Sequence, residues 1–107
     1  MQEIRDLNKD IKGKVPLSWT MRSLMEAVST VRVYGNNKYK TNAPHNWKKV
    51  DNKDWYDAAL RHLMAAIEAE RGEGEELDAE SGLPHIWHCA CCLMFLAENR
   101  KNGRKAP

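Results

Sequence analysis

Long apolar runs are missing from this sequence. None approaches the roughly 20 residues that span a bilayer, and the 30% charged fraction argues against a membrane protein. The start, Met1-Gln2-Glu3-Ile4-Arg5-Asp6, has no apolar core of the kind a secretory signal needs, so a cytoplasmic protein is expected. Cysteine is scarce. Cys89, Cys91 and Cys92 form an odd, crowded set inside one apolar segment, which excludes a disulfide framework and fits a reducing compartment. Alternating strand patterns longer than a few residues are absent, as are internal repeats, which leaves little room for sheet or solenoid architectures. No uninterrupted basic stripe runs along the chain, which argues against a polymeric nucleic-acid partner. What remains is a 107-residue chain with 42% apolar residues, enough for one domain with a modest core.

The segment from Gly74 to His88 carries the densest chemistry. Carboxylates at Glu75, Glu76, Asp78 and Glu80 precede Ser81-Gly82-Leu83-Pro84, which reads as a helix start with Ser81 as cap. His85 and His88 are three apart, so on that helix they share a face. Neutral imidazoles beside carboxylates can ligate a divalent metal or do acid–base work.

Around this segment the periodicity predicts an all-α fold, a small bundle of three to four helices. Residues 1–16 read as a polar arm, 17–99 as one helical domain and 100–107 as a basic, frayed tail. Ser18 can cap a helix from about Trp19 to Tyr34, with Met21, Leu24, Met25, Val28 and Val31 at helical spacing. Gly35-Asn36-Asn37 should stop it, leaving residues 36–51, with Pro44, as a long ordered loop. Asp51 or Asn52 starts a second helix to about Arg71, with Ala58, Leu60, Leu63, Met64, Ala66 and Ile67 as its apolar surface. The third runs from about Leu83 to Asn99. Ala58, Ala59, Ala65, Ala66 and Ala69, with Cys89 and Ala90, suggest tight antiparallel packing of the last two helices. That pairing could bring His62 to the face of His85 and His88, although a lone buried histidine is as readily a satisfied core residue.

Charge is unevenly distributed. Residues 68–80 hold seven carboxylates (Glu68, Glu70, Glu73, Glu75, Glu76, Asp78, Glu80) against Arg71. Basic residues gather at Lys38, Lys40, Lys48 and Lys49, and again at Arg100, Lys101, Arg104 and Lys105. One reading is solvated surface and a frayed tail; the other is a metal-binding acidic loop facing a phosphate-binding segment. The stretch Tyr34-Gly35-Asn36-Asn37-Lys38-Tyr39, closed by Asn46-Trp47, offers rings to stack on a base, an amide to read its edge and a lysine for phosphate. Tyr39 and Trp47 could equally pin the loop to the helices.

Five motifs in one order resemble a known family. They are Tyr34-Gly35-x-x-Lys38-Tyr39, Asn46-Trp47, Ala59-Leu60-Arg61-His62-Leu63, Gly74-Glu75-x-x-Asp78-x-Glu80-Ser81-Gly82 and His85-x-x-His88. Together, over roughly residues 17–97, they resemble the phage and bacterial family of dATP/dGTP diphosphohydrolase N-terminal domains. The resemblance implies a phage-type protein, working in host cytoplasm, that acts on purine deoxynucleotides and releases pyrophosphate with a divalent cation. Full-length relatives carry a further C-terminal domain. The carboxylate pairs that hold magnesium on adjacent helices of all-α pyrophosphohydrolases are not reproduced here. Glu73 and Glu76 have the spacing but fall in a glycine-interrupted loop, and no His-Asp dipeptide is present.

Two function classes follow. In a metal-dependent nucleotide hydrolase, His62, Asp78, His85 and His88 would ligate Mg, Mn or Zn, and Glu80 or Glu75 would position or deprotonate water. Lys38, Tyr39, Asn46, Trp47 and Arg61 would hold the substrate. In a non-catalytic binding module Lys38, Asn46, Trp47 and Arg61 would capture a nucleotide, for instance to sequester a signal of host defence, with the histidines as hydrogen-bond donors. A structural network pairing the helices is the third reading. The run Cys91, Cys92, Leu93, Met94, Phe95, Leu96 is apolar around much of its helix, so a homodimer or higher homo-oligomer is expected, unless residues 1–16 cover that surface.

Overall fold

The computed structural model describes residues 14–39 and 45–103. Three helices dominate: α1 spans Arg22–Lys38, α2 Asn52–Glu70 and α3 His85–Lys101. Short 3-10 turns occupy Leu17–Trp19 and Asn46–Lys49. Among the described residues there is no strand, only an isolated antiparallel bridge between Leu77 and Pro84. The all-α fold expected from periodicity is the fold observed. No helix among the described residues is long and apolar enough to cross a membrane.

Local chemistry accounts for the ends of α2. Asp51 caps its start, its carboxylate accepting from the Lys53 N–H at 3.0 Å, and Lys53 pairs with Asp57 at 2.9 Å one turn on. At the far end Gly72 adopts φ 76°, the left-handed conformation that closes a helix cheaply only at glycine. The alanines along α2 favour the helix and let α3 approach closely. Ala59, Cys89 and Cys92 pack as one buried cluster, with Trp55 and Ala58 against it. At the open end of this antiparallel pair, the side-chain amide of buried Asn99 donates to the side-chain Oδ1 of Asn52 at 2.9 Å, tying the end of α3 to the start of α2.

Helix α1 lies across α3 through a second cluster, Val31, Cys91 and Phe95, bordered by Val28, Trp47, Trp55, Leu83 and Trp87. Its boundaries differ from expectation. It starts at Arg22 rather than Trp19, with Met21 and not Ser18 as N-cap, because Leu17–Trp19 turns as 3-10 helix first. It continues through Gly35-Asn36-Asn37 to Lys38, and the Tyr39 N–H still reaches the Gly35 carbonyl at 2.8 Å. A glycine inside a helix costs only about 1 kcal/mol, which the packing of Tyr34 and Lys38 on either side outweighs. The buried residues of α1 are Ala27 and Val31, while Met21, Leu24 and Met25 stay exposed. Similarly, α3 begins at His85 and not Leu83, with Pro84 in the N-cap position and Ser81 in the preceding turn. It extends through Arg100 and Lys101, so the expected tail begins later. Of the expected 36–51 loop, residues 36–38 are helical and 46–49 form a turn. Lys40, Pro44, Arg104, Lys105 and arm residues 1–13 lie outside the described residues.

Candidate functional site

Two stripes with the same spacing build the site. On α2, Trp55 and His62 are seven residues apart; on α3, His88 and Phe95 are seven apart. Seven residues bring a helix back to nearly the same face about 10 Å further along. Because α2 and α3 are antiparallel, the two histidines meet at one end and the two aromatic rings at the other. Val31, Tyr34 and Lys38, at helical spacing on α1, and Asn46-Trp47 from the turn complete the walls. The pocket they line, open to solvent, measures about 700 Å³, within the range of small-molecule sites.

The aromatic end is a stack. Trp47 lies on Phe95 with centroids 4.6 Å apart and planes 13° from parallel, and Trp55 tilts against the same ring at 4.7 Å. The Arg32 guanidinium sits 5.2 Å from the Phe95 centroid, and the Lys48 ammonium 5.8 Å from that of Trp47.

The other end is a cluster of imidazoles and one carboxylate, shaped by a tight turn. The Asp78 N–H donates to the Leu83 carbonyl and the Gly82 N–H to the Asp78 carbonyl, both at 2.8 Å, with Gly82 at φ 72°. This turn aims Asp78 and Ser81 at the helices. The Ser81 N–H donates to Asp78 Oδ2 at 2.8 Å, and Ser81 Oγ lies 2.6 Å from His88 Nε2. His62 stacks on His88 at 4.6 Å and 15°, and its Nδ1 is 2.9 Å from Nδ1 of His85. Tyr34 meets His88 edge-on at 6.2 Å.

Electrostatics set the protonation states. Burial lowers the pKa of His62, and the neighbouring His88 and His85 lower it further. Burial also lowers that of His88, against the pull of Asp78. Burial alone would raise the Asp78 carboxyl, but hydrogen bonds from Ser81 outweigh it and the pKa falls. Near neutral pH the cluster therefore holds neutral His62 and His88 rings beside an ionised Asp78. Ligand atoms of His62, Asp78 and His85 lie within 4.8 Å of one another, close enough to share a cation. The donor chemistry fits one, since two imidazole nitrogens 2.9 Å apart need either a proton or a cation between them.

Most residues singled out from the sequence converge here. Lys38, Tyr39, Asn46, Trp47, Arg61, His62, Asp78, Glu80 and His88 all line the pocket. Lys38 pairs with Glu80, and its ammonium lies 5.0 Å from the Tyr39 ring. Asn46 is engaged locally, donating to the Tyr39 carbonyl at 2.8 Å. His85 joins through His62 rather than by lining the pocket. His88 is absent from the trio that could share a cation, its Nε2 facing Ser81. Glu75 is exposed and not part of the pocket wall. Sequence reasoning missed Tyr34, Trp55, Phe95 and Ser81 as site residues; the paired seven-residue spacings would have identified Trp55 and Phe95.

The class of protein defined by fold and site is a small all-α domain with an aromatic stack at one end of a pocket and an imidazole–carboxylate cluster at the other. The chain belongs to the family dATP/dGTP diphosphohydrolase, N-terminal, whose profile matches residues 5–106. It is 33% identical over 85 residues to a protein of Salmonella phage PMBT28 named dATP/dGTP diphosphohydrolase. That alignment covers 79% of this chain and 27% of the relative, so the chain spans about a quarter of the relative's length. No solved structure matches the chain.

Proposed function

We propose that the pocket binds a purine deoxynucleotide and, with a divalent metal, hydrolyses it to the monophosphate and pyrophosphate. One observation carries this reading: a single pocket joins the Trp47–Phe95 stack to the His62–Asp78–His85 cluster, with Lys38 and Arg61 on its walls. Aromatic rings lining a pocket can stack on a base, and a pocket of this size has room for phosphates toward the cluster.

The chain's own residues divide the work. Trp47, held flat by Phe95, positions the base. Lys38 and Arg61 neutralise phosphate charge as it grows on the leaving group. His62, His85 and Asp78 would hold the metal, which supplies an activated water and polarises a phosphoryl oxygen. Nitrogen-rich ligation suits Zn better than Mg, which prefers oxygen donors. Glu80, drawn to the pocket mouth by Lys38, is the carboxylate available to orient water once phosphate competes for the lysine. Ser81 fixes His88 against the cluster and keeps its ring oriented.

The test is release of pyrophosphate from the four dNTPs with Mn, Zn or Mg. Turnover of dATP and dGTP, lost in Asp78→Asn, is the expected result. The alignment covers 27% of the relative, so the activity in its name is not assigned to this segment, and capture without turnover is the second reading. Ligand-induced thermal stabilisation with no hydrolysis under any metal would select it.

A further inference from the structure

Among the described residues, none packs a layer on the side of α2 and α3 turned away from the pocket. On α2, Tyr56, Leu60, Leu63, Met64 and Ile67 are exposed, at positions i, i+4, i+7, i+8 and i+11. On α3, Ile86, Leu93, Met94 and Ala97 are exposed along a stripe of the same spacing, with Ala90 within it. Leu93 stands two residues, about 200°, around the helix from both Cys91 and Phe95, which face α1 and the site. The two stripes meet in a groove lined by Leu63, Ala66, Ile67 and Ile86, with Glu70 and Glu76 at its acidic end. From Ile86 to Ala97 the helix carries no carboxylate, lysine or arginine. A solvated helix face has charge on it; this one does not.

We propose that a second copy of this chain covers this face, the two α2–α3 pairs packing about a two-fold axis as a four-helix layer. Charge at its ends singles out a second copy. On the stripes themselves, Glu70 stands one turn past Ile67, with Glu76 beside it, whereas at the other end, which also carries Asp51, Asp54, Asp57 and Glu98, Arg100 and Lys101 stand one turn past Ala97. A two-fold in the plane of the face, perpendicular to the helices, lays Glu70 of each copy toward the partner's Arg100 and Lys101, which makes the seam self-complementary. Size fits as well. Helices of 17–19 residues side by side present roughly 30 × 20 Å, about 600 Å² before side-chain relief. A standard interface buries about 800 Å² per partner. The two pockets would open on opposite outer surfaces of the dimer, each built from one chain.

Analytical ultracentrifugation of the full chain across 1–100 µM tests this. A dimer is expected, shifting to monomer in Leu93→Glu with helical circular dichroism retained. Should that variant lose its helical signal, Met64→Glu, at a 62% exposed position, serves in its place. The end-to-end charge pairing has its own readout. Glu70→Lys and Lys101→Glu should each raise the dimer dissociation constant several-fold, and the double variant should restore it. A wild-type monomer at 100 µM overturns the proposal and leaves the face to a different chain. A dimer that survives both Leu93→Glu and Met64→Glu, folded, places the contact elsewhere and overturns it too.

Discussion

Replacing Phe95 with alanine should remove a large share of the domain's stability. Phe95 is 6% exposed and touches every part of the fold: Val31 from α1, Trp55 from α2, Cys91 on its own helix and Trp47 from the 3-10 turn. Truncating a buried phenylalanine costs about 3–5 kcal/mol, the transfer term plus the cavity left behind. Here the value should lie in the upper half, because two indole partners lose a ring contact worth about 0.5–1.5 kcal/mol each beyond area burial. Against a total of about 5–15 kcal/mol for a domain of this kind, that is enough to populate unfolded protein. Urea titration at fixed protein concentration, read by circular dichroism and tryptophan fluorescence, measures the loss. Phe95→Leu should retain the fold while removing the flat support under Trp47, so nucleotide binding falls more than stability does. A loss below 1 kcal/mol in Phe95→Ala would refute the assignment of this ring as the joint of core and site.

Other expectations follow from the cluster and the thiols. His62 and His88 have folded pKa values below the ordinary 6.5, so the unfolded chain takes up protons more readily. In chelator-treated buffer stability should be full above pH 6.5 and fall below it, by at most about 1.4 kcal/mol per pH unit for each ring. Asp78, with its pKa held below 3.8, adds a contribution lost only as pH falls from there through its folded value. A pH 5–6.5 slope unchanged in His62→Gln/His88→Gln would contradict this assignment. Asp78→Asn keeps an acceptor for the Ser81 N–H and should cost about 1 kcal/mol or less, yet lower Zn or Mn affinity at least tenfold by equilibrium dialysis. Burial raises the Cys91 thiol to about 11 and Cys92 to about 12, so neither should react with a thiol reagent at pH 8 until the protein is denatured.

Helix count and order were readable because α2 has strong local signals, the Asp51 cap, the alanines and the Gly72 stop, and α3 has a continuous apolar run from Ile86 to Leu96. The convergence of His62 with His85 and His88 was readable as well, since small residues on both helices favour close antiparallel pairing across the 71–84 connection. Other features needed coordinates. Nothing local distinguishes a Gly35 that ends α1 from one tolerated within it; packing of its neighbours decides. The role of Ser81 depends on the Asp78–Leu83 turn, where its hydroxyl meets His88 instead of capping the helix. The large side chains of α2 read as core, but the alanines make the close contact with α3, which leaves Leu60, Leu63, Met64 and Ile67 outside. Glu75 shared the charge density of its segment, yet the turn that directs Asp78 inward begins three residues later.

Calorimetric titration of dGTP into the full chain with Mn tests the central claim most directly, that one pocket joins an aromatic base slot to the imidazole–carboxylate cluster. One site per chain is expected, weakened about 5- to 150-fold by Trp47→Ala, as loss of a base stack entails. Lys38→Met should weaken it independently. Undiminished binding in Trp47→Ala, or no binding by the folded wild-type protein at millimolar nucleotide, would contradict it.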